Sequence, residues 1–300
     1  MPLRFAFVTS LGAAALIGSA CVGINIDREG HIEREQKRFD VSGTSELSLY
    51  TFDGAVEVRS WDRPEIVVEI EKRGQDPEAV SKIEVLAEQT GSRIQVEARR
   101  PGGTSSFGGI GRFTSPSARM IANVPRATQI VVRTGDGSIV AERLDGRLEL
   151  RPGDGAIRTL ETTGELLAES GDGALQIEEA SGRVEARTDS GSIRVSGTPK
   201  SVRVRSGDGS VVLRIRNGAA MSEDWMIATS DGSISIELPG DFSAEIEAEP
   251  GSDSRVRNEL DLTSASGGTR EQRTLRGTLG AGGHRLSLRT GDGSIRLIKY

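Results

Sequence analysis

The sequence predicts an all-β protein built as a parallel β-solenoid, and three observations carry this prediction. A seven-residue pattern recurs every 18 residues from position 133 to about 216. Apolar and polar residues alternate after each copy, as they do in strands with one buried face. Aromatic residues make up only 4% of the 300 residues, while 38 are glycine. Stacked coils share one thin, continuous core, which suits a chain with few large side chains and many turns.

The repeat begins with Arg133-Thr-Gly-Asp-Gly-Ser-Ile139. The fourth residue of successive copies falls at positions 136, 154, 172, 190 and 208. Degenerate copies follow at 228–234 and 289–295, and Tyr50–Val56 resembles an earlier one. Five copies in register are not a chance event, and a fixed period of this kind indicates a repeat architecture.

Each period divides into two halves of nine residues. Asp145-Gly146 comes nine positions after Asp136. Thr163-Gly164 and Ser181-Gly182 come nine positions after Asp154 and Asp172. Each half reads as a turn followed by alternating apolar residues, since Gly accepts positive φ and Asp bonds its own backbone. Constant length and register favour parallel coils over antiparallel hairpins. A three-sided coil of 18 residues would repeat its apolar residue every six positions. The observed half-period of nine residues therefore favours a coil with two faces.

The Gly-Asp-Gly turns are predicted to be structural. Their residues are Asp136, Gly137, Asp154, Gly155, Asp172, Gly173, Asp208 and Gly209. Stacking places the aspartates in one row, where like charges about 5 Å apart repel by roughly 1 kcal/mol in water. We expect a neighbouring arginine row to offset this repulsion: Arg133, Arg151, Arg187 and Arg205. A calcium ladder is the alternative, but the Gly-Gly-x-Gly-x-Asp nonapeptide is missing. We therefore predict no metal and no cofactor.

The first 20 residues predict a signal peptide. Arg4 precedes an apolar run from Phe5 to Ile17, followed by small residues up to Cys21. The run is too short for a stable membrane span and typical of a cleaved export signal. Cys21 is the only cysteine in the chain, which leaves no intrachain disulfide. It stands at the cleavage point, as in a bacterial lipobox, although Gly18 replaces the usual leucine. We predict lipidation of Cys21, with ordinary secretory cleavage after Ala20 as the alternative.

The rest of the chain divides into four parts. We predict a charged tether at 21–38, an N-terminal β region at 39–125, the solenoid at 126–240, and a C-terminal β cap with a Gly-rich loop at 241–300. Asp76-Pro77 predicts the start of a short helix. Irregular stretches are expected at 101–117 and 251–283, which are rich in Gly, Ser and Thr.

The composition restricts the function. The formal net charge is −6 and the basic residues form no block, so the sequence lacks the footprint of a nucleic-acid binder. The two histidines, His31 and His284, are far apart. Carboxylates repeated in every coil are poor candidates for a catalytic pair, since a catalytic group is unique. Trp61 and Trp225 are possible sugar platforms, but a lone Trp more often closes the end of a core.

The order of several motifs resembles the DUF4097 family, bacterial β-strand-repeat proteins of unknown function that carry an adhesin label. The resemblance rests on Phe39-Asp-Val-Ser-Gly, Asp53–Trp61, Ala122-Asn-Val-Pro125, the Gly-Asp-Gly copies and Ser235–Pro239. It covers roughly residues 39–300 and implies a repeat fold with no catalytic residues to carry over.

These observations favour a non-enzymatic, exported protein of the bacterial cell envelope. It would be held at a membrane by lipid on Cys21 alone and would bind or adhere through its β-surface. The expected partner is an unidentified envelope protein or a surface polysaccharide. Two alternatives stay open: a carbohydrate-active β-helix enzyme, such as a polysaccharide lyase or hydrolase, and a structural or regulatory protein of envelope stress.

Overall fold

The protein is a parallel β-solenoid, as predicted. The computed structural model describes residues 23–27, 30–101, 115–263, 271–272 and 274–300. Their strands form one continuous, mostly parallel sheet that bends around a common core. The predicted signal peptide 1–20, Cys21 and most of the predicted loop at 101–117 lie outside the described residues.

The described residues form 22 strands and one short helix. The N-terminal strands are β1 (Gly23–Asp27), β2 (Gly30–Asp40), β3 (Glu46–Thr51), β4 (Val56–Trp61), β5 (Glu65–Gly74), β6 (Glu84–Thr90), β7 (Arg93–Arg99) and β8 (Ser117–Pro125), with α1 (Pro77–Ser81) after β5. The central strands are β9 (Gln129–Thr134), β10 (Ile139–Pro152), β11 (Ile157–Ser170), β12 (Leu175–Thr188), β13 (Ile193–Ser206) and β14 (Val211–Ile215). The C-terminal strands are β15 (Trp225–Thr229), β16 (Ile234–Leu238), β17 (Ala244–Glu249), β18 (Val256–Asn258), β19 (Glu271–Gln272), β20 (Leu275–Leu279), β21 (Arg285–Thr290) and β22 (Ile295–Lys299).

Each central coil has two faces, as the nine-residue half-period predicts. The second half of β10, near Leu148–Leu150, pairs with β9, whereas its first half, 139–142, pairs with β4. We call these two ladders sheet 1 and sheet 2. The chain passes from sheet 1 to sheet 2 at the Gly-Asp-Gly turn, the first corner, and returns at the second corner, as at 143–146. Gly146, Gly164 and Gly182 have positive φ at the second corner, as expected.

The core is a set of apolar rows that run along the solenoid axis. Parallel pairing places each inward residue beside its equivalent in the next coil, about 4.8 Å away. One row is fully buried and contains Val56, Ile139, Ile157, Leu175, Ile193, Val211, Ile234 and Ile295. Burial of each such side chain stabilises the fold by about 1.5–3 kcal/mol, and no large aromatic layer is required.

The coils at both ends of the stack are out of chain order. At the C-terminal end, β21 and β22 lie between the coil of β15 and β16 and the coil of β17 and β18. At the N-terminal end, β3 and β4 lie between β7 and β8 on one side and β9 and β10 on the other. The motif copies at 50–56, 228–234 and 289–295 therefore extend the central stack in space, although they are separated from it in sequence.

The tether predicted at 21–38 is wrong for residues 30–38, which belong to β2. This strand pairs antiparallel with β5 along its whole length, from His31 to Asp40. Its side chains alternate between exposed and partly buried, without a buried apolar face. Ion pairs replace that face, because Arg34 contacts Glu71 and Arg38 contacts Glu65 at 2.7 and 2.9 Å. A charged strand of this kind resembles a solvated linker in sequence.

Two other local predictions have different outcomes. Helix α1 begins as predicted: Asp76 is its N-cap and accepts a hydrogen bond from the Ala79 amide at 2.7 Å. The stretch 251–283, predicted to be irregular, contains β18 and β20. Strand β20 pairs antiparallel with β17 at the edge of sheet 1, so Leu275 and Leu279 reach the core.

The ion pairs between β2 and β5 predict acid sensitivity. Burial disfavours the Glu35 carboxylate, but hydrogen bonds and charge from Lys72 and Lys37 outweigh it and hold the pKa of Glu35 below its ordinary value of 4.5. The same balance applies to Glu71. Burial raises the pKa of this carboxyl group, but hydrogen bonds and charge from Arg73 and Arg34 lower it by more, so the net pKa is below the ordinary value. A depressed folded-state pKa stabilises the fold above about pH 4.5, and this stabilisation is lost as the pH falls through the folded-state value.

We therefore expect amide exchange in β2 to accelerate as the pH falls below about 4.5, after correction for the intrinsic exchange rate. Glu35→Gln is the matched test, since it keeps the shape of the side chain and removes its titration. The variant should exchange faster than the wild type at neutral pH and depend less on pH. Equal pH dependence in both proteins would contradict the assignment.

Candidate functional site: the stacked turns and the outward faces

The first corner contains the eight residues of the Gly-Asp-Gly turns singled out in the sequence. Asp136, Asp154, Asp172 and Asp208 are exposed and follow one another along one edge of the solenoid. Asp231 and Asp292, from the degenerate copies, continue the row and are also exposed. The row is therefore longer than the regular repeat and forms an acidic ridge. Gly137, Gly155, Gly173 and Gly209 follow these aspartates on the inner side of the ridge.

The prediction that these glycines are needed for positive φ is wrong. Positive φ is found at the second corner but not at Gly137, Gly155, Gly173 or Gly209. What excludes a side chain here is the close approach of successive turns. A Cβ at Gly173 would lie 2.1 Å from the carbonyl oxygen of Gly155. The same 2.0–2.1 Å separation to the preceding coil recurs at Gly155, Gly191, Gly209, Gly232 and Gly293.

A row of buried hydroxyls fastens these turns together, and the sequence analysis missed it. The Thr188 hydroxyl lies 2.8 Å from the Gly171 carbonyl oxygen and 3.0 Å from that of Gly173. It also accepts a hydrogen bond from the Gly191 amide at 3.2 Å. Ser170, Ser206, Thr229 and Thr290 repeat this arrangement. The signal was readable, because the second residue of every copy is Ser or Thr except Pro152.

The predicted arginine row does not neutralise the acidic ridge. Arg133 binds Glu149 at 3.1 Å, and Arg151 contacts Glu149 and Glu169 at 3.4 and 2.9 Å. These partners lie on the outward face of sheet 1, because glutamates alternate with arginines in the stacked rows. Arg187 alone approaches an acid of the first corner, Asp189, at 3.8 Å. No group of three potential metal ligands occurs among the described residues.

The two tryptophans are parts of the framework. Trp225 is 1% exposed, packs against Phe242 with ring centroids 5.5 Å apart, and donates from Nε1 to the Lys200 carbonyl at 3.1 Å. Trp61 is half-buried, donates to the Glu65 carbonyl at 2.8 Å, and carries the Arg63 guanidinium over its ring at 5.0 Å. Burial excludes Trp225 as a sugar platform, and Arg63 covers the ring of Trp61.

Strand β13 differs from its neighbours in charge. Residues 193–206 carry Arg194, Lys200, Arg203 and Arg205 and no acidic residue, and all four side chains are exposed. The equivalent segments 139–152, 157–170 and 175–188 each mix both signs. The salt bridges found among the described residues include none from these four side chains. By contrast, the neighbouring cations Arg183, Arg214 and Arg216 are held by Glu223, Glu237 and Glu179.

Arg203 and Arg205 lie on the outward face of sheet 1. Arg203 is in register with Glu185 on one side and Met226 on the other, and Met226 is 50% exposed. Arg205 is in register with Arg187. Like charges directly opposite each other on a sheet are destabilising, so this pairing costs stability. The outward face around β13 is the candidate binding surface, and composition alone could have indicated it.

Fold and surface together define a parallel β-solenoid of two-faced coils with charged outward faces. The chain belongs to the Toastrack DUF4097 family, whose model matches residues 44–297. The match begins at β3 and ends in β22, so it spans the whole stack, including the coils that are out of chain order.

Several solved structures are similar to this chain over most of its length. A "putative lipid binding protein" from Parabacteroides distasonis is 14% identical, with 88% of this chain and 96% of that chain covered and a TM-score of 0.46. A "putative adhesin" from Parabacteroides merdae is 13% identical, with the same coverage and a TM-score of 0.40. A "putative cell adhesion protein" from Clostridium sporogenes is 14% identical, covering 90% and 100%, with a TM-score of 0.31.

The comparison with curated proteins yields no significant match. Within the ranges that the structure describes, no helix is long and apolar enough to cross a membrane.

Proposed function

We propose that this protein is a non-enzymatic binding module of the bacterial cell envelope, exported by its first 20 residues and held at a membrane by lipid on Cys21. It presents the outward face of sheet 1 to a partner. The observation that carries the proposal is the exposed, unpaired cation row of β13 within a rigid stack whose other outward cations are largely held in ion pairs, as Arg183, Arg214 and Arg216 are. Unpaired surface charge on a rigid scaffold is available to a partner without first breaking an internal contact.

Two features support binding over catalysis. The carboxylates at the first corner repeat without distinction in every coil, whereas glycoside hydrolysis requires one specific pair of carboxyl groups. The second feature concerns a surface depression of about 310 Å³ above β2, β5 and β8. Two of its three acids, Glu35 and Glu71, are held by Lys72, Lys37, Arg73 and Arg34, which stabilises their charged forms and opposes a role as general acid.

The anchor is tested by Cys21→Ser. The wild-type chain should incorporate a labelled fatty acid and fractionate with membranes, and the variant should lose both properties. Ala20→Leu, which obstructs cleavage while keeping the cysteine, serves as a processing control. Unchanged membrane association of Cys21→Ser would remove the lipid anchor from the proposal.

Binding is tested by retention of the purified chain on cell envelopes from which lipids have been extracted with detergent. Saturable retention that falls with ionic strength is expected, because exposed charges are screened by salt. Absence of saturable retention would overturn the binding role. A carbohydrate-active enzyme, the second candidate, predicts release of unsaturated or reducing sugars from the same envelopes, abolished by a single substitution such as Asp154→Ala.

A further inference from the structure

We propose that the cation row of β13 is a binding site for an acidic polysaccharide that carries carboxylate groups. The site consists of Lys200, Arg203 and Arg205, with Arg187 beside Arg205 and Met226 beside Arg203. The inference rests on the proposed binding function and names the chemical class of its partner.

The first step of the argument is charge. The chain as a whole has 44 acidic and 38 basic residues, and its formal net charge is −6. Strand β13, with four cations and no acid, is therefore a local region of positive charge in a chain of negative net charge. Arg194 faces outward from sheet 2, and Arg203 and Arg205 face outward from sheet 1. Lys200 is exposed at the bulge between the second corner and this half of β13. Two acids of the preceding coil adjoin the row: Glu185 is in register with Arg203, and Asp189 contacts Arg187 at 3.8 Å.

The second step is geometry. Arg203 and Arg205 lie on the outward face of one strand, and Lys200 lies at the bulge that precedes it, at most about 17 Å from Arg205 along the chain. The row lies across the solenoid axis, and its Arg203 and Arg205 belong to a strand held by ladders on both sides. Such a row fits an extended polyanion better than a compact anion, which would contact only one of the three charges. Because the strand is rigid, little conformational entropy is lost when the polymer binds.

The third step is chemistry. Guanidinium groups present donors in a fixed fork that matches the two oxygens of a carboxylate. The exposed Met226 side chain supplies an apolar contact next to Arg203, suited to the C–H face of a sugar ring. An anionic membrane is a weaker fit. It would attract these cations by about 1 kcal/mol each, but its extended surface would also face the rest of a chain whose formal net charge is −6. An acidic polysaccharide satisfies both the carboxylate and the apolar contact.

The test uses the full chain purified in detergent, with polygalacturonate as the probe and neutral dextran and polyphosphate as comparison polymers. Polygalacturonate should bind and dextran should not. Polyphosphate, which offers guanidinium groups similar oxygens but gives Met226 no sugar ring to contact, should bind more weakly. The triple variant Lys200→Gln/Arg203→Gln/Arg205→Gln should bind polygalacturonate about tenfold more weakly, because three exposed charge contacts are lost. Met226→Ser should weaken binding by a smaller factor without changing its salt dependence.

A matched control has the same change in net charge. Arg133, Arg147 and Arg276 are exposed on the same side but held by Glu149, Glu165 and Glu247. The triple variant Arg133→Gln/Arg147→Gln/Arg276→Gln should bind within a factor of about two of the wild type, because these contacts are already satisfied. Equal losses in the two triple variants would show a general charge effect and overturn the site.

The remaining outcomes separate this inference from the proposed function. If the wild type binds envelopes but not polygalacturonate, the polysaccharide class is wrong and the binding function stands. If polyphosphate binds more tightly than polygalacturonate, the partner is a phosphate polymer and the inference is also overturned. If the β13 variant dissociates a wild-type dimer and no polymer binds, the row serves self-association. Absence of any envelope binding rejects the proposed function itself.

Discussion

Gly173→Ala is expected to destabilise the protein by about 3 kcal/mol or more and to lower its folded yield. The new Cβ would lie 2.1 Å from the Gly155 carbonyl oxygen and 2.5 Å from its carbonyl carbon. Both are backbone atoms fixed by ladders on either side, so the strain cannot relax by rotation of a side chain. The turns must separate, which disturbs hydrogen bonding in two adjacent coils. Urea unfolding followed by circular dichroism measures the loss.

The matched control is Gly240→Ala. Gly240 is also in a turn without positive φ, and the nearest atom to an added Cβ would be Cε of the flexible Lys299 side chain, at 3.8 Å. This substitution should change the free energy of unfolding by less than about 0.5 kcal/mol, as expected for an exposed site. If Gly173→Ala were equally mild, close stacking would not be the reason for glycine at the first corner.

Thr188→Val is expected to cost about 1–3 kcal/mol of stability. Valine keeps the branched shape that suits a strand, so the change removes the hydroxyl with little effect on packing. The Gly191 amide loses its acceptor, and the carbonyl oxygens of Gly171 and Gly173 lose a donor. Thr188 is 1% exposed, so water cannot replace the hydroxyl without displacing the turn.

Thr159→Val provides the opposite case within the same stack. Thr159 is fully buried, and its hydroxyl has no hydrogen-bond partner among the described residues. Valine at this position removes an unsatisfied polar atom and should leave stability unchanged or increase it. Thermal unfolding of the two variants side by side measures the difference. Equal destabilisation by both substitutions would indicate a general intolerance of valine instead of a role for the hydroxyl row.

The repeat itself was predictable because it depends on local periodicity. The 18-residue spacing, the two-faced coil and the inward row from Ile139 to Val211 follow from alternation and turn residues alone. Strand β2 was missed for the same reason. Apolar and polar side chains do not alternate along β2, and its partner β5 begins 25 positions after β2 ends. Pairing through the backbone and ion pairs leaves little trace in a hydrophobic pattern.

The order of the end coils was also beyond local reasoning. The copies at 50–56 and 289–295 are recognisable as sequences, but parallel coils accept any neighbour with the same register. The position of each end coil in the stack depends on which other coils pack against its two sides, and this is a property of the whole stack. The candidate surface is different. The absence of acids from 193–206 is visible in the sequence, but the importance of that absence depends on the ion pairs that neutralise the other coils.

The inserted end coils give the protein a particular response to mechanical force. If the chain is anchored at Cys21 and bound to a polymer, as proposed above, a pull on the polymer carries tension into the N-terminal strands. Strands β1 and β2 can detach one bond at a time, but β3 is hydrogen-bonded to β7 on one side and β9 on the other. Tension along β3 must therefore shear two parallel ladders together. At the opposite end, β21 and β22 are held between two coils in the same way, so tension applied to the C-terminal strands must also shear two parallel ladders together.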